Sequence, residues 1–128
     1  MAVLEHVNVT VSDPKATAAW LGAVFGWKIR WEGDAMSGGY TAHVGDDSSY
    51  VALYTPNQDM NNPQHSYTTR AGLNHVGVLV DDIEATEKRV AAAGFTPHNH
   101  ADYEPGRRFY FDDHDGVEWE VISYQPAA

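Results

Sequence analysis

The chain has 128 residues, 18 Asp and Glu against 8 Lys and Arg, a formal charge of −10 and no cysteine. That length suits one domain with a core large enough to need no staple. The missing cysteines exclude disulfides, thiolate metal ligands and a cysteine nucleophile, and with no basic cluster nucleic acid and anionic membrane are excluded as partners. The longest uncharged run, residues 16–27, is shorter than the ~20 residues a membrane span needs. Met1-Ala2-Val3-Leu4-Glu5 enters a strand pattern without a basic-then-apolar leader. The expectation is an acidic, cytoplasmic globular protein.

Along the chain, the first strand pattern alternates Val7, Val9 and Val11 with His6, Asn8 and Thr10, so the valines pack on a helix and the His6 face looks the other way. Asp13 followed by Pro14 reads as an N-cap, and Gly26 stands where the helix should end. Strand patterns follow at about Lys28–Glu32, Tyr40–Val44 and Tyr50–Thr55. Residues 57–72, rich in Asn, Gln, Pro, Thr and Ser, read as a long crossover.

Then the pattern recurs. Shifted by 69 positions, residues 6–17 fall on residues 75–86 with His, three Val, Asp, Ala and Thr in common, where chance would give about one match. The second copy has Val76, Val78 and Val80 opposite His75, Gly77 and Leu79, an N-cap at Asp82, and a helix with Glu84 four residues before Lys88 and a C-cap at Gly94. Strands follow at about Thr96–His100, Arg107–Asp112 and Glu118–Tyr124. The reading is an α+β domain of two βαβββ modules, the first about residues 1–56 and the second about 73–125.

This order, with a His on each first strand and a closing hairpin Gly106-Arg107-Arg108-Phe109-Tyr110-Phe111-Asp112-Asp113-His114-Asp115-Gly116-Val117-Glu118-Trp119-Glu120, resembles the vicinal oxygen chelate superfamily, which includes glyoxalase I, fosfomycin resistance enzymes, extradiol dioxygenases and bleomycin resistance proteins. The resemblance implies a cup-shaped mixed sheet around a metal held by His6, His75 and Glu120. The counterpart of Glu120 in the first copy is Ala52, so the site resembles the three-ligand members more than glyoxalase I. Two His and one carboxylate with open positions suit Fe(II) oxygen chemistry, and Zn(II), Mn(II) and Ni(II) bind such a set as well.

By strand parity Tyr110 shares the face of Glu120, and it stands ten residues before Glu120, as a substrate-contacting Tyr does in extradiol enzymes. The same resemblance points to His100, with His98 as a neighbouring choice, for acid–base work suited to imidazole, and His65 of the crossover is a further candidate. Asn8, Tyr54 and Arg108 are the expected substrate contacts. His43 and His114 are read as surface residues, Arg107 as an outward charge, and Trp20, Trp27, Trp31 and Trp119 as core and interface packing. These readings lead to a metal-dependent enzyme, in its sharpest form an extradiol-type dioxygenase using Fe2+ on a small vicinal-oxygen substrate. The alternatives are a metal-free drug-binding protein of bleomycin-resistance type, or a glyoxalase- or fosfomycin-type lyase or thiol transferase. Relatives of this size imply a homodimer, and the crossover is long enough to permit an exchange of modules between chains.

Overall fold

A computed structural model describes residues 1–126. The chain divides into two compact units, Met1–Asn61 and the remainder from Asn62. Each is a βαβββ unit built on one four-stranded mixed sheet.

In the first unit, β1 (His6–Thr10), α1 (Pro14–Phe25), β2 (Lys28–Asp34), β3 (Tyr40–Gly45) and β4 (Tyr50–Thr55) follow in order. The strands lie β1-β4-β3-β2, with β1 parallel to β4 and the other pairs antiparallel. Helix α1 starts where Asp13 accepts hydrogen bonds from the Lys15 and Ala16 amides at 3.1 and 3.2 Å, satisfying donors the first turn leaves unpaired. It ends at Gly26, whose φ of 72° is left-handed. Trp20, Leu21 and Val24 of the helix are buried, as are Ala42, Val44, Val51 and Leu53 of the strands it packs against. Val9 and Val11 join this core, while Val7, at the strand's start, is 37% exposed.

The second unit repeats the plan with β5 (Val76–Leu79), α2 (Ile83–Ala92), β6 (His98–Tyr103), β7 (Gly106–Asp112) and β8 (Glu118–Ser123), ordered β5-β8-β7-β6. Asp82 caps α2 by accepting from Ala85 N at 3.0 Å. Glu84 reaches across to Arg107 rather than along the helix to Lys88, at 2.5 Å from Nη1. This tie joins α2 to β7, so Arg107, expected as an outward charge, is paired. The core is Phe109, Phe111, Trp119 and Val121 beneath Ile83 and Val90.

Strand β6 begins two residues later than expected and extends to Tyr103, and the β6–β7 register shifts between His98 and Ala101. Asn99 takes up the extra residue at φ 55°, a left-handed conformation in which Asn is enriched. No helix among the described residues is long and apolar enough to cross a membrane.

Candidate functional site

On each sheet the face opposite the helix carries the polar residues. In the first unit, cross-strand register sets this face as rows. His6 lies beside Tyr50, and Asn8, Ala52, His43 and Trp31 form the next row. Thr10, Tyr54 and Thr41 form the third. His43 is therefore not the outward surface residue the sequence suggested. It shares the face of His6, because its neighbours Ala42 and Val44 are the ones buried against α1.

Trp31 is corrected in the same way. It is 52% exposed on this face, while Trp20 and Trp119 are buried as expected. The rings form a continuous series. Trp31 is 5.2 Å from His43, His43 is stacked on Tyr50 at 4.5 Å, and His6 is stacked on Tyr50 at 4.9 Å. The guanidinium of Arg30 lies 4.7 Å from the centroid of Tyr50.

In the second unit, His75 immediately precedes β5, and Gly77 of that strand pairs with Glu120 in register. Tyr110 and His98 continue the row on β7 and β6. Nε2 of His75 faces Oε1 of Glu120 at 3.4 Å. The other carboxylate oxygen accepts from Arg108 Nη1 at 2.9 Å and from the Tyr110 hydroxyl at 3.0 Å. Arg108 and Glu120 are both well buried at their side chains. Burial opposes the charge of Arg108, but electrostatic attraction to the ionisable Tyr103 hydroxyl and to Glu120, with the bond to Glu120, outweighs it, so its pKa is raised; its guanidinium also lies 4.4 Å from the centroid of the Tyr103 ring. Burial, and then the bond to Glu120, also raise the pKa of the Tyr110 hydroxyl. Arg108, expected to meet a substrate anion, is thus engaged by the protein's own carboxylate.

Both candidate histidine ligands are oriented by the residue before them. Nδ1 of His6 lies 2.9 Å from Oε1 of Glu5, and Nδ1 of His75 lies 2.7 Å from Oδ1 of Asn74. Each partner oxygen is an acceptor, so Nδ1 donates this hydrogen bond and Nε2 is turned away from it. Such an outer contact is what fixes tautomer and ring orientation in metal-binding histidines. At His75 the consequence is specific: Nε2 and a carboxylate oxygen of Glu120 face one another at 3.4 Å, an arrangement that a proton on the ring or a cation between them makes favourable. A metal ion with bonds of about 2.0–2.2 Å spans a gap of this size. The donor set therefore fits a divalent ion. The structure brings together His75 and Glu120, whereas His6 belongs to the other unit, and among the described residues no group of three His, Cys, Asp or Glu side chains stands as a metal cluster.

The remaining candidates separate. His98 is on the Glu120 face, 3.4 Å from Asp112. His100 is on the opposite one, 3.0 Å from Glu87 of α2 and stacked on the buried Phe109. The residue inserted at Asn99 puts it on the opposite side from His98, so His100, expected as an acid–base group, lies on the helix face. His65 stands edge-on to Tyr67, whose hydroxyl donates to Glu118 at the start of β8. That bond, with burial, pushes the Tyr67 pKa up to about 12. Tyr67 is a residue the sequence reading missed, since nothing in a polar crossover singles it out. His114 is a turn residue stacked on Phe95 and 3.4 Å from Asp115. Asn8 and Tyr54 lie on the His6 face.

Residues 3–121 match the Glyoxalase/Bleomycin resistance protein/Dioxygenase superfamily. The chain belongs to that superfamily. Solved structures agree on the fold of this superfamily member. A glyoxylase/bleomycin resistance protein/dioxygenase domain from a Frankia species is 22% identical, with 98% of this chain and 99% of that one covered and a TM-score of 0.82. A single-site mutant of the fosfomycin resistance protein FosX from Listeria monocytogenes, complexed with Mn(II) and 1S,2S-dihydroxypropylphosphonic acid, is 16% identical over 98% and 94% of the two chains, with a TM-score of 0.72. TnmS3, an antibiotic binding protein from a Streptomyces species, is 17% identical over 96% of each, also with a TM-score of 0.72. At these identities the likeness is one of fold. No curated protein matches the chain in sequence.

Proposed function

We propose that this superfamily member is a divalent-metal-dependent enzyme acting on a small substrate with two adjacent oxygens, and that His6, His75 and Glu120 hold the metal. The observation that carries this reading is that His75 Nε2 and Glu120 Oε1 face one another 3.4 Å apart, with the imidazole ring oriented by Asn74. Its sharpest form is an extradiol-type dioxygenase using Fe2+. Bound there, the ion supplies Lewis acidity to the substrate oxygens and, as Fe(II), access to oxygen chemistry.

The chain's own residues have separate tasks. Arg108 holds Oε2 of Glu120, leaving Oε1 directed at His75. Tyr110 keeps its proton at neutral pH, since burial and Glu120 raise its pKa; that proton is given to Glu120, so the hydroxyl oxygen is left to accept from a substrate O–H. His98 takes the acid–base place expected of His100, being on the same face as Tyr110. Asn8 and Tyr54 offer polar contacts on the first sheet.

The test is metal content per chain, by plasma mass spectrometry on protein purified anaerobically without a His tag. Near one ion per chain is expected, with His75→Ala and His6→Ala each lowering metal affinity at least tenfold, the scale on which even outer contacts to a ligand matter. Iron favours oxygen chemistry; zinc, manganese or nickel favours lyase, isomerase or thiol-transfer chemistry. No uptake, even after each ion is added back, removes the enzyme reading.

A second reading, a metal-free binder of planar drugs, draws on the exposed aromatic series ending at Trp31 and on Ala52 in the place of a fourth ligand. Full ligand affinity in His75→Ala would support it. We also propose a small-molecule-binding homodimer, consistent with apolar Val7 and Leu79 exposed on the edge strands β1 and β5. Light scattering on a sizing column is expected to return twice the chain mass, and a monomer mass refutes the dimer.

A further inference from the structure

A cavity in the second unit lies on the side of the sheet away from Glu120. Helix α2 and strands β6 and β7 border it, and its volume of about 360 Å³ is near the lower end of the range for small-molecule sites. Ile83 and Phe109, both buried, supply its apolar lining. The polar groups around them are unevenly matched. Glu84 takes both terminal nitrogens of Arg107, at 2.5 and 3.4 Å. Nε2 of His100 lies 3.0 Å from Oε2 of Glu87, which leaves Oε1 of Glu87 uncommitted. Asp102 is set on this face by its register opposite Arg107, and among the described residues its carboxylate makes no hydrogen bond or ion pair. Three carboxylates thus meet one guanidinium and one imidazole, so a negative charge is in excess even when the imidazole is protonated. Arg108 also borders the cavity but is paired with Glu120 on the other face.

We propose that this cavity is a binding site for a small primary ammonium ion with a compact aliphatic body. The groups left open in its wall, Oε1 of Glu87 and the carboxylate of Asp102, only accept hydrogen bonds, and an ammonium has only donors. The aliphatic body lies against Ile83 and Phe109 and takes that surface out of water. Other ligand classes fit worse. An anion meets three carboxylates, with the one guanidinium of this face already held by Glu84. A neutral alcohol leaves the excess charge unanswered. A quaternary ammonium brings the charge without an N–H to donate. The site is separate from the metal-dependent reading, because none of its residues is a candidate metal ligand and all belong to the second unit.

The experiment uses the full chain with a chelator present, so that no metal takes part, and cyclohexylmethylamine as the probe. In a titration followed by two-dimensional NMR, signals of α2, β6 and the Phe109 ring should shift saturably, with a Kd on the order of millimolar for so small a ligand at an open site. Cyclohexylmethanol and the N,N,N-trimethyl derivative of the probe should each bind at least about fivefold more weakly. Glu87→Gln and Asp102→Asn should each weaken the probe about fivefold, and added salt should weaken it further in the wild type. Neither side chain is buried, so both variants should melt within a few degrees of the wild type. A double variant that binds the probe as tightly as the wild type overturns the inference. So do equal affinity for the alcohol, shifts confined to the Glu120 face, or no saturable shift at all.

Discussion

Glu120→Ala is expected to cost about 3 kcal/mol of stability, the low end for stripping a buried charge of its partner, and to abolish metal uptake with it. The loss strands two groups. Arg108, with its guanidinium well buried and raised in pKa by its surroundings, keeps its charge without a counter-ion. Tyr110 loses the acceptor of its hydroxyl. Urea denaturation of metal-free protein isolates the stability effect from ligand linkage. Glu120→Gln should fall less far, because an amide oxygen can still accept from Tyr110. Adding Arg108→Met to Glu120→Gln should recover part of the loss, as replacing both members of a buried pair is cheaper than removing one. A Glu120→Ala protein as stable as wild type would mean that the Arg108–Glu120 contact contributes nothing.

Asp113→Ala should be comparably severe, about 3 kcal/mol, with three donors losing one acceptor group. Oδ1 accepts from the Asp115 and Val117 amides at 2.9 and 3.0 Å, and Oδ2 from the indole of Trp119 at 3.1 Å. Trp119 is 1% exposed, so water cannot replace that acceptor. Asp113 thereby holds the turn from which β8 delivers Glu120. Burial is the largest influence on its carboxyl and raises its pKa above 3.8. The folded state thus binds this proton more tightly than the unfolded chain does. Its stabilising effect is full below the unfolded value and declines as pH rises through the folded one. The gap in urea midpoint between wild type and Asp113→Ala should therefore be wider at mildly acid pH than at neutral pH. A gap that widens towards neutrality would overturn the assignment.

The parts of this fold that depend on local chemistry were legible without coordinates. Asp13, Asp82 and Gly26 cap helices where their side chains, or the lack of one, require it. The repeat itself set His6 and His75 in equivalent places. What failed was facing, which depends on non-local register. His43 and Trp31 face with His6 because β3 pairs antiparallel with both neighbours at a particular offset, and β2 has its own irregularity between Ile29 and Trp31. No count along a single strand contains that information. His100 has a related reason for its place: one left-handed residue at Asn99 puts His98 and His100 on opposite faces, where plain alternation would give them the same one. The only signal was the Asn itself, which tolerates that conformation. The Arg108–Glu120 pair was hidden differently. Parity put both on one face, but only their diagonal positions on β7 and β8 bring the groups into contact.

The cross-strand pairs Asn8–Ala52 and Gly77–Glu120 set a condition on how the duplicated halves can change. In one the larger side chain is on the first strand and the smaller on the last; in the other the sizes are reversed. A carboxylate placed at position 52 would be driven into space already covered, beside Asn8 and His43. Making the two halves alike would therefore need coordinated changes on separate strands, so the packing of the first sheet opposes a symmetric site.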